Sequence, residues 1–307
     1  MGTLTHYVTE SQVTDSNTGK TTDTVYRHEV SVPTVPQSVG TLDGNGKEES
    51  IFWMSGDAAK LIIRGGKICN SSKIAIYCDS SGSTVQIDGG YICGNSVKDI
   101  GGGAAISAKK PTTIHINGGY IYNNTSQGNG GAIYSEGADV TVSGGYIFSN
   151  SASTNSEGGG GAIYAQGGSV VLNGGYLFDN SAKGGYGGAV YMKDGTLTVS
   201  DPAVLAGNRS VKGGGIEGTG TLDAGGGAVA LFGSTDVTIS GGYITGNESE
   251  KTGGGLYCRE SSAVTMDSGY VTNNKAQNFA CEDVHINEDG GGGIRLEDGS
   301  NLTLNDG

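Results

Sequence analysis

Proline is almost missing from this sequence, with 4 residues in 307. There are 59 Gly beside it but no three-residue Gly period, which excludes a collagen-like triple helix. Helical periodicity is missing as well: no window repeats its apolar residues about every 3.6 positions. Glycine every few residues would also cost a helix about 1 kcal/mol each. Cations are scarce, 18 Lys and Arg against 31 Asp and Glu, for a net charge of −13. Nucleic acid and anionic membrane surfaces call for the opposite sign. No apolar run reaches the roughly 18 residues of a membrane span. No signal-peptide pattern opens the chain. The five Cys show no metal-ligand spacing, and no cofactor is expected. "DSNTGKTTD" at 15–23 lacks the Gly and Glu positions of a calcium loop and reads as a turn.

Glycine is what the chain has in excess, about a fifth of its residues, against roughly 7% in ordinary proteins. Fifteen Tyr and regularly placed aliphatics argue against disorder. "GGAIYSEGADVTVSGGYIFSN" (130–150) returns as "GGAIYAQGGSVVLNGGYLFDN" (160–180), and the pattern recurs about every 27 residues. The position after Gly-Gly is Lys67, Tyr91, Tyr120, Tyr146, Tyr176, Val204, Tyr243 and Tyr270, and an aliphatic residue always follows it. Four positions on stands Asn95, Asn124, Asn150, Asn180, Asn208, Asn247 or Asn274. The first coil departs from this, with Asn70 one place early, and "DPA" replaces Gly-Gly before Val204. Upstream lie an alternating strand such as Val140-Thr141-Val142 and a "GAIY" strand. Alternation with period two sends one face inward.

Such a unit cannot bury its apolar face alone, but a stack of units can. The expected fold is all-β: a right-handed, three-sided parallel β-helix of about eight to nine coils. Each coil holds three strands, with glycine at the tight bends. Asn tolerates the left-handed conformation of a corner, and stacked Asn amides are expected to bond from coil to coil. Cys69 and Cys93 then fall side by side in neighbouring coils, and whether they form a disulfide is left open. Residues 1–50 read as a β-hairpin with its turn at Asn17–Gly19, which with Phe52 and Trp53 could cover the open end of the helix. Residues 51–307 form the β-helix. The start "MGTLTHYVTE" reads as engineered and "LTLNDG" ends mid-repeat, so a piece of a longer protein is expected.

"GGAI" paired with "FxxN"-like spacing resembles the repeats of polymorphic outer membrane proteins. "TVSGGYITGN…GGGLY" is similar to Gly-rich repeats of adhesin-like surface proteins of gut bacteria. The resemblance spans about residues 60–307. It implies a parallel β-helix displayed extracellularly, attached to the cell surface, and adhesive in character.

Function is sought at two places. Length varies only between the Asn and the next "GA": six residues follow Asn124, but 18 follow Asn208 and 17 follow Asn274. Loops leaving one corner mark a binding face. The long ones carry Arg209, Lys212, Glu217 and Asp223, and Phe279, Glu282, Asp283 and His285. The second place is the outward Tyr row, Tyr120, Tyr146 and Tyr176 with Tyr91; Tyr134, Tyr164 and Tyr191 would make another outward row. Cross-strand packing that only stiffens the sheet is the competing role for these rings. A glycosidase would need two close carboxylates, but Asp88, Asp179, Asp194, Asp267 and Asp298 are scattered at bends, and His115 and His285 sit singly in "HIN". The reading is therefore a non-catalytic, monomeric binding module. Its partner would be a host or environmental glycan or protein, secreted immunoglobulins included. The alternative is a carbohydrate-active enzyme of the pectin-lyase or tailspike type on the same fold.

Overall fold

The computed structural model describes residues 2–14, 21–32, 40–56, 58–98, 102–109, 112–154, 158–213, 224–277 and 291–305, those of 2–32 by backbone alone. Gly2–Thr14 and Thr21–Val32 pair antiparallel as a two-stranded sheet, while the expected turn at Asn17–Gly19 lies outside the described residues. All other named pairing is parallel, in sheets of seven, nine and sixteen strands. Three sheets wrap eight complete coils among the described residues, with partial coils at both ends. The fold is the three-sided parallel β-solenoid that the repeat implies.

The repeat alignment is the strand register. Lys67 pairs with Tyr91, and Tyr91 with Tyr120. The ladder continues through Tyr146, Tyr176, Val204, Tyr243 and Tyr270. Alternation is visible in Asp139–Val142, where Val140 and Val142 are buried and Asp139 is exposed. Ile121, Ile147 and Leu177, one per coil, are completely buried, and each contributes about 2 kcal/mol of transfer free energy. The second and third strands of a coil share the sixteen-stranded sheet, and in Asp236–Thr245 they run together as one strand.

The second to eighth coils each carry a short strand beyond the three expected. After the Asn corner comes a short strand, such as Ser151–Ser153 or Arg209–Val211, and these make up the seven-stranded sheet. Two or three residues are too few to display alternation in a sequence.

The Asn corner divides its two tasks between neighbouring residues. The left-handed conformation falls on the residue before the ladder Asn: Asn123 (φ 52°), Ser149 (φ 52°), Asp179 (φ 51°) and Asn273 (φ 54°), with Gly94, Gly207 and Gly246 in the other coils. Asn70 (φ 57°) is of this kind, and Ser71 takes the ladder place, its N–H donating to Asn95 Oδ1 at 3.1 Å. The ladder Asn faces inward. Asn150 Nδ2 donates to Asn180 Oδ1 and to Ile121 O, both at 3.0 Å. Its Oδ1 accepts from Asn124 Nδ2 at 2.9 Å and from Asn124 N at 3.0 Å. Every polar atom of the buried amide is thus satisfied, as burial requires.

Phe52 and Trp53 do not cover the open end. They belong to the first complete coil, where Phe52–Met54 pairs with Ile76–Cys78, so Phe52 packs against the core and Trp53 points outward, 65% exposed. Strand pairing in the solenoid begins at Thr41–Asp43, against Lys67–Cys69.

Candidate binding surface

The outward tyrosines after Gly-Gly form the expected row. Tyr91, Tyr120, Tyr146 and Tyr176 stack with centroids 5.1–5.2 Å apart and planes within 13° of parallel, and all are half-buried. A parallel column Tyr122–Phe148–Phe178 stacks beside it at 4.8–5.0 Å. Stacking at strand spacing turns each ring face toward the next ring. What the row offers outward is therefore ring edges and hydroxyls, a hydrogen-bonding comb. Burial raises the Tyr120 hydroxyl above the usual phenol range.

The second row differs from the expectation of an outward row. Tyr134, Tyr164 and Tyr191 do stack at 5.1 Å, but Tyr164 is 6% and Tyr191 1% exposed. They form a second small core with Tyr186, Ala230, Phe232 and Tyr257 on the outer side of the nine-stranded sheet. The corner segments build it: Gly159, Tyr186, Gly225 and Thr252 bridge one another in parallel, and Tyr186 lies 5.6 Å from Tyr257. Tyr186 has no counterpart in other repeats, so periodicity could not reveal this cover.

At the loop corner, Arg209 and Lys212 come together on the side chain of Glu250. Arg209 Nη2 lies 2.7 Å from Glu250 Oε1, and Lys212 N donates to Oε2 at 2.9 Å. Arg209 also lies 3.8 Å from Glu248, its register partner in the next coil, and Lys275 follows in the same ladder. The two long loops therefore leave positions two coil spacings apart, about 10 Å at 4.8 Å per strand. Glu217, Asp223, Phe279, Glu282, Asp283 and His285 lie outside the described residues.

Sequence reasoning missed a cavity of about 310 Å³ at this corner, lined by Tyr186, Lys251, Tyr257, Arg259, Arg295 and Glu297 among others. The Tyr257 hydroxyl donates to Glu297 Oε2 at 2.7 Å. Burial and Glu297 raise the Tyr257 hydroxyl far above the phenol range. Arg259 pairs with Asp298 at 2.8 Å. The available signal was Arg295, standing where "GAIY" has Tyr.

The scattered carboxylates mostly link coils or turns. Asp88 accepts from Gln86 and Asn117, Asp139 from Ser169, Asp194 from Ser234 N, and Asp267 from Asn305. Asp179, Asp194 and Asp298 also hold left-handed turn conformations. His115 lies in register between Gln86 and Thr141 on an outward strand position; His285 is outside the described residues. Cys69 and Cys93 are register partners, both buried and both free thiols.

With that geometry in view, the repeat of Chlamydia polymorphic membrane proteins matches residues 118–136, "GGYIYNNTSQGNGGAIYSE". The match covers the outward Tyr120, the ladder Asn124 and the following "GGAIY", the elements that set one coil on the next. It supports the resemblance of these coils to polymorphic outer membrane protein repeats. No curated protein and no solved structure matches the chain.

Proposed function

We propose that the chain is a non-catalytic recognition module of a surface-attached, adhesin-like protein. It binds a host or environmental glycan or glycoprotein outside the cell through the loops at 209–226 and 275–291. The match to a surface membrane-protein repeat supports the surface, adhesin-like class. The observation that carries the loop assignment is the register: both long loops leave the same corner of coils separated by one other. At about 10 Å between bases, they can close on one partner. The half-buried comb of Tyr120, Tyr146 and Tyr176, with its ring edges outward, is the secondary contact.

The test is to shorten both loops to the six residues found after Asn124 and to probe the intact and shortened chains with immobilised host glycans and secreted immunoglobulins. The expected result is binding by the intact chain and its loss on shortening, with thermal stability retained because loop length costs little. Equal binding by the shortened chain would overturn the loop assignment, and no binding by the intact chain would overturn the proposed partner class.

A further inference from the structure

At the other end of the solenoid lies a cleft of about 560 Å³ on the outer side of the nine-stranded sheet. Its floor is Trp53, the only Trp of the chain and 65% exposed. A side chain of this size normally buries most of its surface. The Tyr77 ring stands against it at 5.2 Å and 85°, so the two aromatics make two perpendicular walls of a corner. The Tyr77 hydroxyl is directed to Asp79 Oδ1 at 3.3 Å. Glu48, Glu49, Ser50 and Lys73 complete the polar part of the lining.

We propose that this cleft binds a neutral pyranose sugar. A pyranose ring has an apolar C–H face and a perimeter of hydroxyls. Trp53 supplies a flat apolar surface, and the carboxylates and hydroxyls around it supply acceptors and donors, the mixture typical of a ligand site. Position in the fold makes this aromatic different from the tyrosine rows. The stacked tyrosines of the central coils turn their faces toward one another, whereas Trp53 stands on the edge strand of its sheet with an aromatic neighbour on one side, Tyr77. Two carboxylates against one ammonium in the lining disfavour an anionic sugar. This site is separate from the corner loops: it lies on the first complete coils, they on the sixth and eighth, so either proposal can fail alone.

The single Trp makes the test direct, because the emission of the full chain reports this cleft. The intact chain is titrated with cellohexaose, maltohexaose, xylohexaose and chitohexaose, and with trigalacturonate as the anionic comparison. At least one neutral sugar is expected to shift Trp53 emission saturably and to shield it from acrylamide. Tyr77→Ala is expected to weaken that binding roughly tenfold. Glu49→Gln, on the exposed rim, is expected to leave the unliganded emission unchanged and to weaken binding as well, which guards against a misfolded Tyr77 variant. No saturable change with any neutral sugar would overturn the proposal, as would tighter binding of trigalacturonate. So would shielding of Trp53 from acrylamide in the unliganded chain, the result if the hairpin of residues 2–32 fills the cleft.

Discussion

Replacing Asn150 by alanine removes four hydrogen bonds at once. Two are donated by Asn150 Nδ2 to Ile121 O and Asn180 Oδ1, and two are accepted by its Oδ1 from Asn124 N and Nδ2. The side chain is 1% exposed, so water does not replace them. At about 1 kcal/mol per net bond the loss is about 4 kcal/mol, and it rises toward roughly 6 if the Asn124 N–H, deprived of its acceptor, bears a full desolvation penalty. Against a typical stability of about 5–15 kcal/mol this is a large fraction. Asn95 is the internal control. Two side-chain bonds tie it into the ladder, Nδ2 to Asn124 Oδ1 and Oδ1 from Ser71 N, so Asn95→Ala is expected to lose about half as much. Urea unfolding of the three chains, with midpoints compared at equal slope, measures the difference. A loss below about 1 kcal/mol for Asn150→Ala, or equal losses at both positions, would refute the reasoning that ladder bonds set the cost.

Three other outcomes follow from single positions. Gly145 has φ 81°, and a Cβ there would lie 2.8 Å from Gly118 C, whereas Gly246 has φ 63° and open space around it; both alanine variants carry the left-handed penalty of about 1–2 kcal/mol, and Gly145→Ala is expected to lose clearly more in urea titration, equal losses showing that coil contact is unimportant. Burial pushes the Cys78 and Cys258 thiols up to about 12, so peptide mapping after iodoacetamide treatment of the native chain at neutral pH is expected to find both unlabelled, and ready labelling would contradict their burial. The hydrogen bonds from Gln86 and Asn117 hold the Asp88 carboxyl below the usual carboxylate range; its stabilising contribution is therefore complete above about pH 4 and lost as pH falls through the depressed value, and an ordinary midpoint for Asp88 in an NMR titration would remove this contribution.

The repeat made the register legible because its aligned positions are literal neighbours. Tyr146 follows Gly-Gly as Tyr120 does, and the two rings stack at 5.1 Å. The ladder Asn was legible for the same reason, but its conformation was not. Burial and left-handed geometry both favour Asn, and adjacent pairs such as Asn123 and Asn124 hide which residue does which. The covered second tyrosine row was illegible for a different reason. Tyr164 and Tyr191 sit at positions that point outward in every coil, and their burial depends on Tyr186, which occurs once. Trp53 likewise interrupts no pattern, since it occupies the variable place after the inward residue of "GAIY"; its exposure follows from being on the last strand of a sheet.

The loops at 209–226 and 275–291 are illegible for a reason that also explains how they are tolerated. The chain is fixed on either side of each. On exit, the buried Asn208 and the partly buried Asn274 join the amide ladder through Asn247. On re-entry after the first of the two loops, and after the shorter segments of earlier coils, the next strand is preceded by a glycine too closely stacked for a side chain: a Cβ on Gly131 would collide with Gly161 O, one on Gly161 with Gly188 O, one on Gly188 with Gly227 O, and one on Gly227 with Gly254 O. "GGA" thus returns the chain to one place whether six or 18 residues intervene. Pairing continues past the Asn in short strands such as Arg209–Val211 and Lys275–Ala276, and in the first of the two loops it is found again at Gly225, just before the Gly pair. Loop closure adds only a slowly growing entropic term as such a segment lengthens. On the proposed reading, that freedom is what lets the two long segments be used for recognition without loss of the solenoid.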